Sequence, residues 1–359
     1  MASDYSNILV VRGGAIGDFI LTLPVLAALR ERFPRARVAV LGAAHLAPLA
    51  LAGGLADEVR PLEARGLAGF FIPQGALPAQ WADYFARFEL IISYLYDPRA
   101  VFASNLARCS PARFIVGPHR PVAGEKLHAS DTFLKPLQRL GISGADPVPR
   151  LCLKGALTAR RGLRALPQAD GPEGRACTPL RAVIGKRGGW LAAHPGSGSE
   201  RKNWPESNWA ELFRRLAPAT DWHLLLVGGE AERGRVERLA QLWPASRLEI
   251  AQSLPLVQLA QRLARCRAYV GHDSGITHLA AALGLPGLAL WGETDDAIWR
   301  PRSETLAVLR HPGGLAGLPV EQVLTRLLVA TAAEPPSEIL DAMTVTPNAA
   351  LACPAEARN

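Results

Sequence analysis

The chain has five cysteines in 359 residues, Cys109, Cys152, Cys177, Cys266 and Cys353, an odd number with none two positions from another. That spacing suggests neither a disulfide framework nor a thiolate metal cluster, and a reducing cytoplasm is the simplest setting. Long apolar runs are also missing: no uninterrupted stretch reaches the length a helix needs to span a bilayer. The opening MASDYSN lacks the basic-then-apolar order of a signal peptide. Dense Lys/Arg blocks and basic runs interleaved with aromatics are absent, which argues against a nucleic-acid partner despite a formal charge of +8. The excess suits an anionic surface or a phosphorylated acceptor instead. The histidines and acids show no zinc spacing, and no D-x-D pair stands out as a metal–diphosphate clamp, so no metal is expected.

What is present is a globular balance of 49% hydrophobic and 20% charged residues, in a chain long enough for two cores. Ile8 to Val11 reads as a fully buried strand. Gly13, Gly14 and Gly17 shape a tight loop, and a helix is expected from about Asp18 to Arg32, with Leu21, Val25, Ala28 and Leu29 at helical spacing. Ala36 to Gly42 is a second apolar strand, which completes a βαβ unit. Strands are also expected at Glu58–Leu62, Glu89–Tyr94 and Ala112–Gly117, and a helix at Glu125–Leu140 that Pro136 bends or interrupts.

The composition breaks between Gly155 and Gly189, which are rich in Arg, Gly and Pro. The alternation then restarts. Strands are expected at Gly189–Gly196, Trp222–Gly229, Arg247–Ile250, the segment AYVG and the segment GLALWG. Helices are expected at Asn208–Leu216 (capped by Ser207), Arg233–Leu242, Leu256–Arg265, Ile276–Leu283 and Val320–Ala330. The economical architecture is α/β, with two doubly wound, Rossmann-like domains facing across a cleft: residues 1–170, residues 185–330, and a flexible tail over 331–359 with one brief helical turn at Ser337–Met343.

Four segments can carry chemistry. GGAIGD places Asp18 just beyond the first strand, where a carboxylate either caps the helix or acts as a base at the cleft. HPGSGSERKNWP follows another strand. Its small residues, Ser197 among them, let the backbone curl around an oxygen-rich ligand, and Lys202 can bring a positive charge to a phosphate while Arg201 either shares that role or faces water. VGGEAERGR sets Glu230 after a strand, where it either accepts hydrogen bonds from ribose hydroxyls or opens the next helix. YVGHDSGITHLAAALG offers Asp273, Ser274, Gly275, Ile276 and Thr277 at a helix N-terminus suited to a diphosphate, with Asp273 either a cap or a contact to sugar hydroxyls. Ser197 with His194, or Ser274 with His272 and Asp273, imitates a hydrolase triad. Neighbours on one loop rarely take that geometry, and neither serine sits in a G-x-S-x-G elbow.

In order and spacing, ILVVRGGAIGDFILTLPVLAALRERFP, LAAHPGSGSERKNWPESNWAELFRRL, LLLVGGEAE and YVGHDSGITHLAAALGLPGLALWGETD resemble the ADP-heptose:lipopolysaccharide heptosyltransferases of glycosyltransferase family 9, across about Ile8 to Pro301. The resemblance implies the GT-B architecture and an inverting, metal-independent sugar transfer from a nucleotide-sugar donor, ADP-heptose foremost, with no cofactor. It makes Asp18 similar to the family's general base and Lys202 to the residue that meets the donor diphosphate. Glu230 matches the carboxylate near the ribose, and Asp273, Ser274 and Gly275 match the D-[ST]-G element holding diphosphate and sugar. Ser197 belongs to the small-residue loop on the donor side. A glycan or glycolipid acceptor, phosphorylated in some members, is implied as partner, with Arg120 and Lys126 available to it. The implied place is the cytoplasm, with peripheral contact to the inner membrane. One departure concerns the donor: where the family commonly has G-P-T-D, this chain has Gly292, Glu293, Thr294 and Asp295 after Trp291.

Two other readings compete. A dinucleotide-dependent oxidoreductase would need the first glycine loop to cradle a pyrophosphate, but GGAIGD lacks the G-x-G-x-x-G order and no acid ends the second strand. A noncatalytic nucleotide-sugar-binding protein would use the same cleft without a base, and the presence of Asp18 argues mildly against it.

Overall fold

A computed structural model describes residues 4–122, 124–153 and 189–331. The first sheet is wholly parallel, in the order β3-β2-β1-β4-β5, built from β1 (Asn7–Arg12), β2 (Arg37–Gly42), β3 (Glu58–Pro61), β4 (Leu90–Ser93) and β5 (Arg113–Val116). The second runs β11-β10-β9-β6-β7-β8, also parallel, from β6 (Trp190–His194), β7 (His223–Gly228), β8 (Leu248–Gln252), β9 (Ala268–His272), β10 (Gly287–Leu290) and β11 (Leu306–Leu309). Counted from its own first strand, each sheet has the order of a doubly wound nucleotide-binding fold. The central strands carry continuous apolar runs because helices cover both faces: Ile8 to Val11 and Leu224 to Val227 are all buried. The two Rossmann-like domains expected from the alternating pattern are therefore present.

The long first helix is two. α1 (Ile16–Ile20) stops at Leu21 and α2 (Leu23–Arg32) restarts with Pro24 in its first turn. Proline has no amide to donate to the preceding turn, so it fits a helix start and breaks a helix interior. The helix expected over 125–140 is α6 (Ala129–Leu134), followed by a 3₁₀ stretch at Lys135–Leu140 where Pro136 falls. Ser207 lies inside α7 (Glu206–Ala219), whose N-cap is Pro205. α8 (Arg233–Ala240), α9 (Leu256–Leu263), α10 (Gly275–Ala282) and α12 (Val320–Thr331) fall where periodicity put them. Not anticipated were β11 and the short helices α3 (Pro48–Ala52), α4 (Ala79–Ala86), α5 (Val101–Ala107) and α11 (Asp296–Trp299). α3, α5 and α11 span less than two turns, too few residues for a period to register.

Cys152 is disulfide-bonded, a bond the cysteine spacing did not suggest. The composition break at 155–188 and the tail at 332–359, with its brief turn at 337–343, lie outside the described residues, as does the join between the two expected domains. Among the described residues, no helix is long and apolar enough to cross a membrane.

The domains touch at several points. One apolar cluster joins Ile8, Leu29 and Phe133 of the first to Leu259, Leu279 and Leu283 of the second. The Leu151 amide donates to the carbonyl of Ala282 at 2.8 Å. His128 caps α6 through Nδ1, which accepts from the Ser130 amide at 3.2 Å, so its Nε2–H donates to the carbonyl of Arg300 at 2.8 Å. Arg302 pairs through both terminal nitrogens with the carboxylate of Asp131.

Candidate functional site between the two domains

In an open parallel sheet, ligands bind beyond the carboxyl ends of the strands, where the strand order reverses. Here the reversals fall between β1 and β4 and between β6 and β9. Asp18 stands six residues beyond the end of β1, and the segment Pro195–Lys202 and the turn Asp273–Thr277 follow β6 and β9. Three of the four sequence motifs thus converge on two switch points. The two are in contact. A Cβ built on Gly275 would lie 2.5 Å from Cβ of Ile16 and 3.0 Å from the amide nitrogen of Gly17, while one on Gly17 would lie 3.2 Å from the His278 ring. Both glycines are small because the start of α1 and the start of α10 meet backbone to backbone. The sequence did not reveal that role.

On the first-domain side, Asp18 is held at three points. Its Oδ2 accepts from the Ala15 amide at 3.2 Å, its carbonyl accepts from Thr22 Oγ1 at 2.8 Å, and its Oδ1 lies 3.7 Å from Nη2 of Arg12. The carboxylate is partly accessible, 16% exposed against 2% for the Arg12 side chain. It braces the start of α1, the capping alternative, and its side chain stays partly accessible.

On the second-domain side, Lys202 and Asp273, 71 positions apart, form an ion pair of 2.6 Å, and Thr294 Oγ1 donates to the same carboxylate oxygen at 2.6 Å. Lys202 is 43% exposed and Asp273 10%. The ammonium thus faces the cleft from a buried carboxylate. Thr294 was missed. The indole of Trp291 donates to its carbonyl at 2.7 Å and pins the loop, and the departing residue Glu293 is exposed beside it. Ser197 is occupied within its own loop, donating toward the carbonyl of Ser199 at 2.9 Å and Oδ1 of Asn203 at 2.7 Å. It shapes the turn; Arg201 faces solvent.

Ser274 is the N-cap of α10, its Oγ accepting from the Thr277 amide at 3.3 Å and meeting His194 Nδ1 at 3.3 Å. Thr277 is fully buried, its hydroxyl donating to the carbonyl of His272 and contacting Tyr269 Oη at 2.9 Å. The hydroxyls are thus engaged internally. The amides of Gly275 and Ile276, first in the helix, have no intrahelical acceptor and remain for an anion.

The histidines here are neutral framework. Burial pushes His194 down to about 4 and His272 to about 3. His272 accepts from the Trp204 amide at 2.8 Å and the Trp209 indole at 3.3 Å through Nε2, so its proton sits on Nδ1 toward the Gly196 carbonyl. Burial likewise lowers His278 to about 4 where it packs against Gly17. Ser274 meets His194, but among the described residues no carboxylate is hydrogen-bonded to that ring to serve as the orienting third member of a hydrolase triad.

Glu230 is exposed at the end of β7. Two positions on, Glu232 accepts from the Gly229 amide at 2.9 Å, and its side chain lies against Gly196, where an added Cβ would come within 2.3 Å. Of the two acids in GGEAE, Glu232 is the one turned toward the β6 loop. No periodicity separates them; the turn geometry does. Arg120 and Lys126 are exposed. Among the described residues, no group of three or more His, Cys, Asp or Glu is gathered as metal ligands. Asp295 caps α11 through the Ala297 amide at 3.0 Å, and Asp296 pairs with Arg310 at 2.7 Å.

Comparison with known proteins agrees with the motif reading. The family model described as glycosyltransferase family 9 (heptosyltransferase) matches residues 167–314. Lipopolysaccharide heptosyltransferase 1 of Pseudomonas aeruginosa is 44% identical over 98 residues, 26% of this chain and 26% of that protein. The enzyme of the same name from Escherichia coli K12 is 32% identical over 127 residues, 35% of this chain and 39% of the relative. The matches thus span between about a quarter and two-fifths of these curated relatives. Over whole chains the likeness is one of fold. E. coli ADP-heptose lps heptosyltransferase II superposes with a TM-score of 0.69 at 18% identity, covering 90% of this chain and 98% of that one. A glycosyl transferase family 9 protein from Veillonella parvula gives 0.68 at 18%, covering 92% and 98%. Part of the chain is thus similar to glycosyltransferase family 9, and its two-domain fold is that of the solved heptosyltransferases.

Proposed function

We propose that this protein is an inverting, metal-independent glycosyltransferase that moves a sugar from an ADP-sugar, heptose foremost, to a hydroxyl of a lipopolysaccharide-type or other glycan acceptor. The observation that carries the reading is the contact of the two switch points through Gly17 and Gly275. That contact supports a shared cleft for Asp18 of one domain and the α10 N-terminus and Lys202 of the other. Asp18 takes the proton of the acceptor hydroxyl as its oxygen attacks the anomeric carbon. The C–O bond to the diphosphate breaks as the new C–O bond forms, and a single displacement inverts the carbon. Lys202 and the amides of Gly275 and Ile276 meet the charge that grows on the leaving diphosphate, stabilising the transition state more than the ground state. Asp273, released from Lys202, is free to contact sugar hydroxyls, and Glu232, more than Glu230, is set for the ribose. E. coli heptosyltransferase WaaC, solved with ADP, has the same fold, with a TM-score of 0.65 at 20% identity, which supports ADP as the nucleotide to try first. Arg120 and Lys126 suit a phosphorylated acceptor, and the protein works in the cytoplasm against the inner face of the membrane.

The test is transfer from ADP-heptose to deheptosylated lipopolysaccharide precursor, comparing wild type with Asp18→Asn. The variant should bind ADP normally and lose about 10²- to 10⁴-fold in kcat, the usual contribution of a positioned base. Wild-type turnover in D18N would remove Asp18 from the role. Donor binding without transfer to any glycan would leave a nucleotide-sugar-binding protein instead of an enzyme.

A further inference from the structure

Arg12 ends β1 after the four apolar residues Ile8 to Val11, and its side chain is 2% exposed. Burying a guanidinium costs several kcal/mol unless charge and hydrogen bonds compensate. Here the compensation is incomplete. Nη1 donates to the carbonyl of His119 at 3.0 Å and, at 3.4 Å, to that of Tyr94; Nη2 donates to the carbonyl of Asp18 at 3.3 Å. The group stacks 4.4 Å from the ring centre of Phe133, and Nε has no partner. A side chain kept only to brace the fold would satisfy all five of its N–H groups, or be replaced by an apolar one of the same size. One carboxylate faces it, that of Asp18, with Oδ1 3.7 Å from Nη2. The other titratable groups around it are not anions near neutral pH: burial raises the Tyr94 phenol, and burial lowers His119, with Arg120 adding to that effect.

We propose that Arg12 is a positioning residue for the reaction: it fixes the Asp18 carboxylate at the cleft, so that it meets the acceptor hydroxyl as a base. The inference rests on the reading of Asp18 above. Two anchors act on that residue from opposite sides, since Oδ2 is tied to the Ala15 amide while Oδ1 is turned to the guanidinium. The same guanidinium binds the carbonyls of Tyr94, just past β4, and His119, past β5. One side chain therefore ties the base to the loops at the carboxyl edge of the first sheet. Burial lowers the Arg12 pKa, and the charge of Asp18 opposes that.

The experiment uses the full chain with Arg12→Met, Arg12→Gln, Arg12→Lys and Asp18→Asn. It measures ADP affinity by calorimetry, and kcat and acceptor KM by transfer. R12M and R12Q should bind ADP within about twofold of wild type, because the donor groups lie on the other domain, and lose about 30-fold in kcat with acceptor KM within about twofold. R12K should recover most of the rate. Wild-type kcat in folded R12M or R12Q overturns the proposal, and so does an R12K as slow as they are, since the role requires the charge and not the packing alone. If neither neutral variant folds, R12K decides: a loss of about 10-fold or more in kcat with the charge retained overturns it, and a smaller loss supports it. Full activity in D18N would instead sink the base reading, leaving the two failures distinguishable.

Discussion

Lys202 Nζ lies 2.6 Å from Oδ2 of Asp273, and the same oxygen accepts from Thr294, so a cation and a hydroxyl from two different loops share one carboxylate oxygen. On the proposed reading, binding a diphosphate would exchange the partner of Lys202 for a stronger anion and free Asp273 at the same moment. The pair would then couple the two halves of donor recognition.

Lys202→Met should accordingly cost about 10²-fold or more in kcat/KM for the nucleotide sugar, in the range seen when one transition-state donor is removed. Stability should change little, because Lys202 is 43% exposed and Thr294 still donates to the carboxylate left behind. Steady-state kinetics beside urea melts would check both halves. A large loss of stability without a loss of donor affinity would mean the lysine is structural.

Gly275→Val forces branched carbon into a space where even a Cβ would stand 2.5 Å from Ile16 and 3.0 Å from the Gly17 nitrogen. The Ile16 Cβ on one side and the Gly17 backbone on the other leave α1 and α10 little room to keep their contact. The expected result is a loss of about 1–3 kcal/mol, the usual cost of overpacking, together with looser docking of the domains by small-angle scattering. An unchanged radius of gyration and wild-type transfer would count against the contact as functional.

The two acids after β7 can be told apart by substitution. Glu232→Gln should weaken ADP binding about tenfold through lost charge-assisted hydrogen bonds to the ribose, and Glu230→Gln should stay within about twofold. Calorimetric titration of ADP into each variant reads this directly, and the reverse order would return the role to Glu230.

Stability should fall as the solution is acidified. Burial holds His194 and His278 down to about 4 and His272 to about 3, against about 6.5 unfolded. Between those values the unfolded chain takes up protons the folded chain refuses, so stability is intact above about pH 6.5 and drains away toward pH 4. Urea midpoints measured from pH 7.5 to 4.5 should decline, and less steeply in His272→Gln. A flat profile across that window would contradict the buried neutral assignment.

Much of the architecture was legible because its causes are local. Parallel strands covered on both faces need continuous apolar runs, and Ile8–Val11 and Leu224–Val227 supply them. Helices of two or more turns announce themselves by spacing, as α9 and α12 do, whereas α3, α5 and α11 are too short for a period, and α1 was merged with α2 because the break rests on Pro24 alone. The site was legible as types of residue at strand ends. Which atoms meet was not, since Lys202 and Asp273 are separated by three intervening strands of chain.

Residue order alone thus set the strands, the longer helices, the parallel α/β plan and the chemistry carried on each loop, since these follow from side-chain periodicity and turn residues within a few positions. Folding in three dimensions settled the rest: that Gly17 and Gly275 abut, that Glu232 turns inward where Glu230 does not, and that a buried Arg12 stands behind Asp18. Such relations depend on which distant segments share space, and no pattern along one segment carries that information.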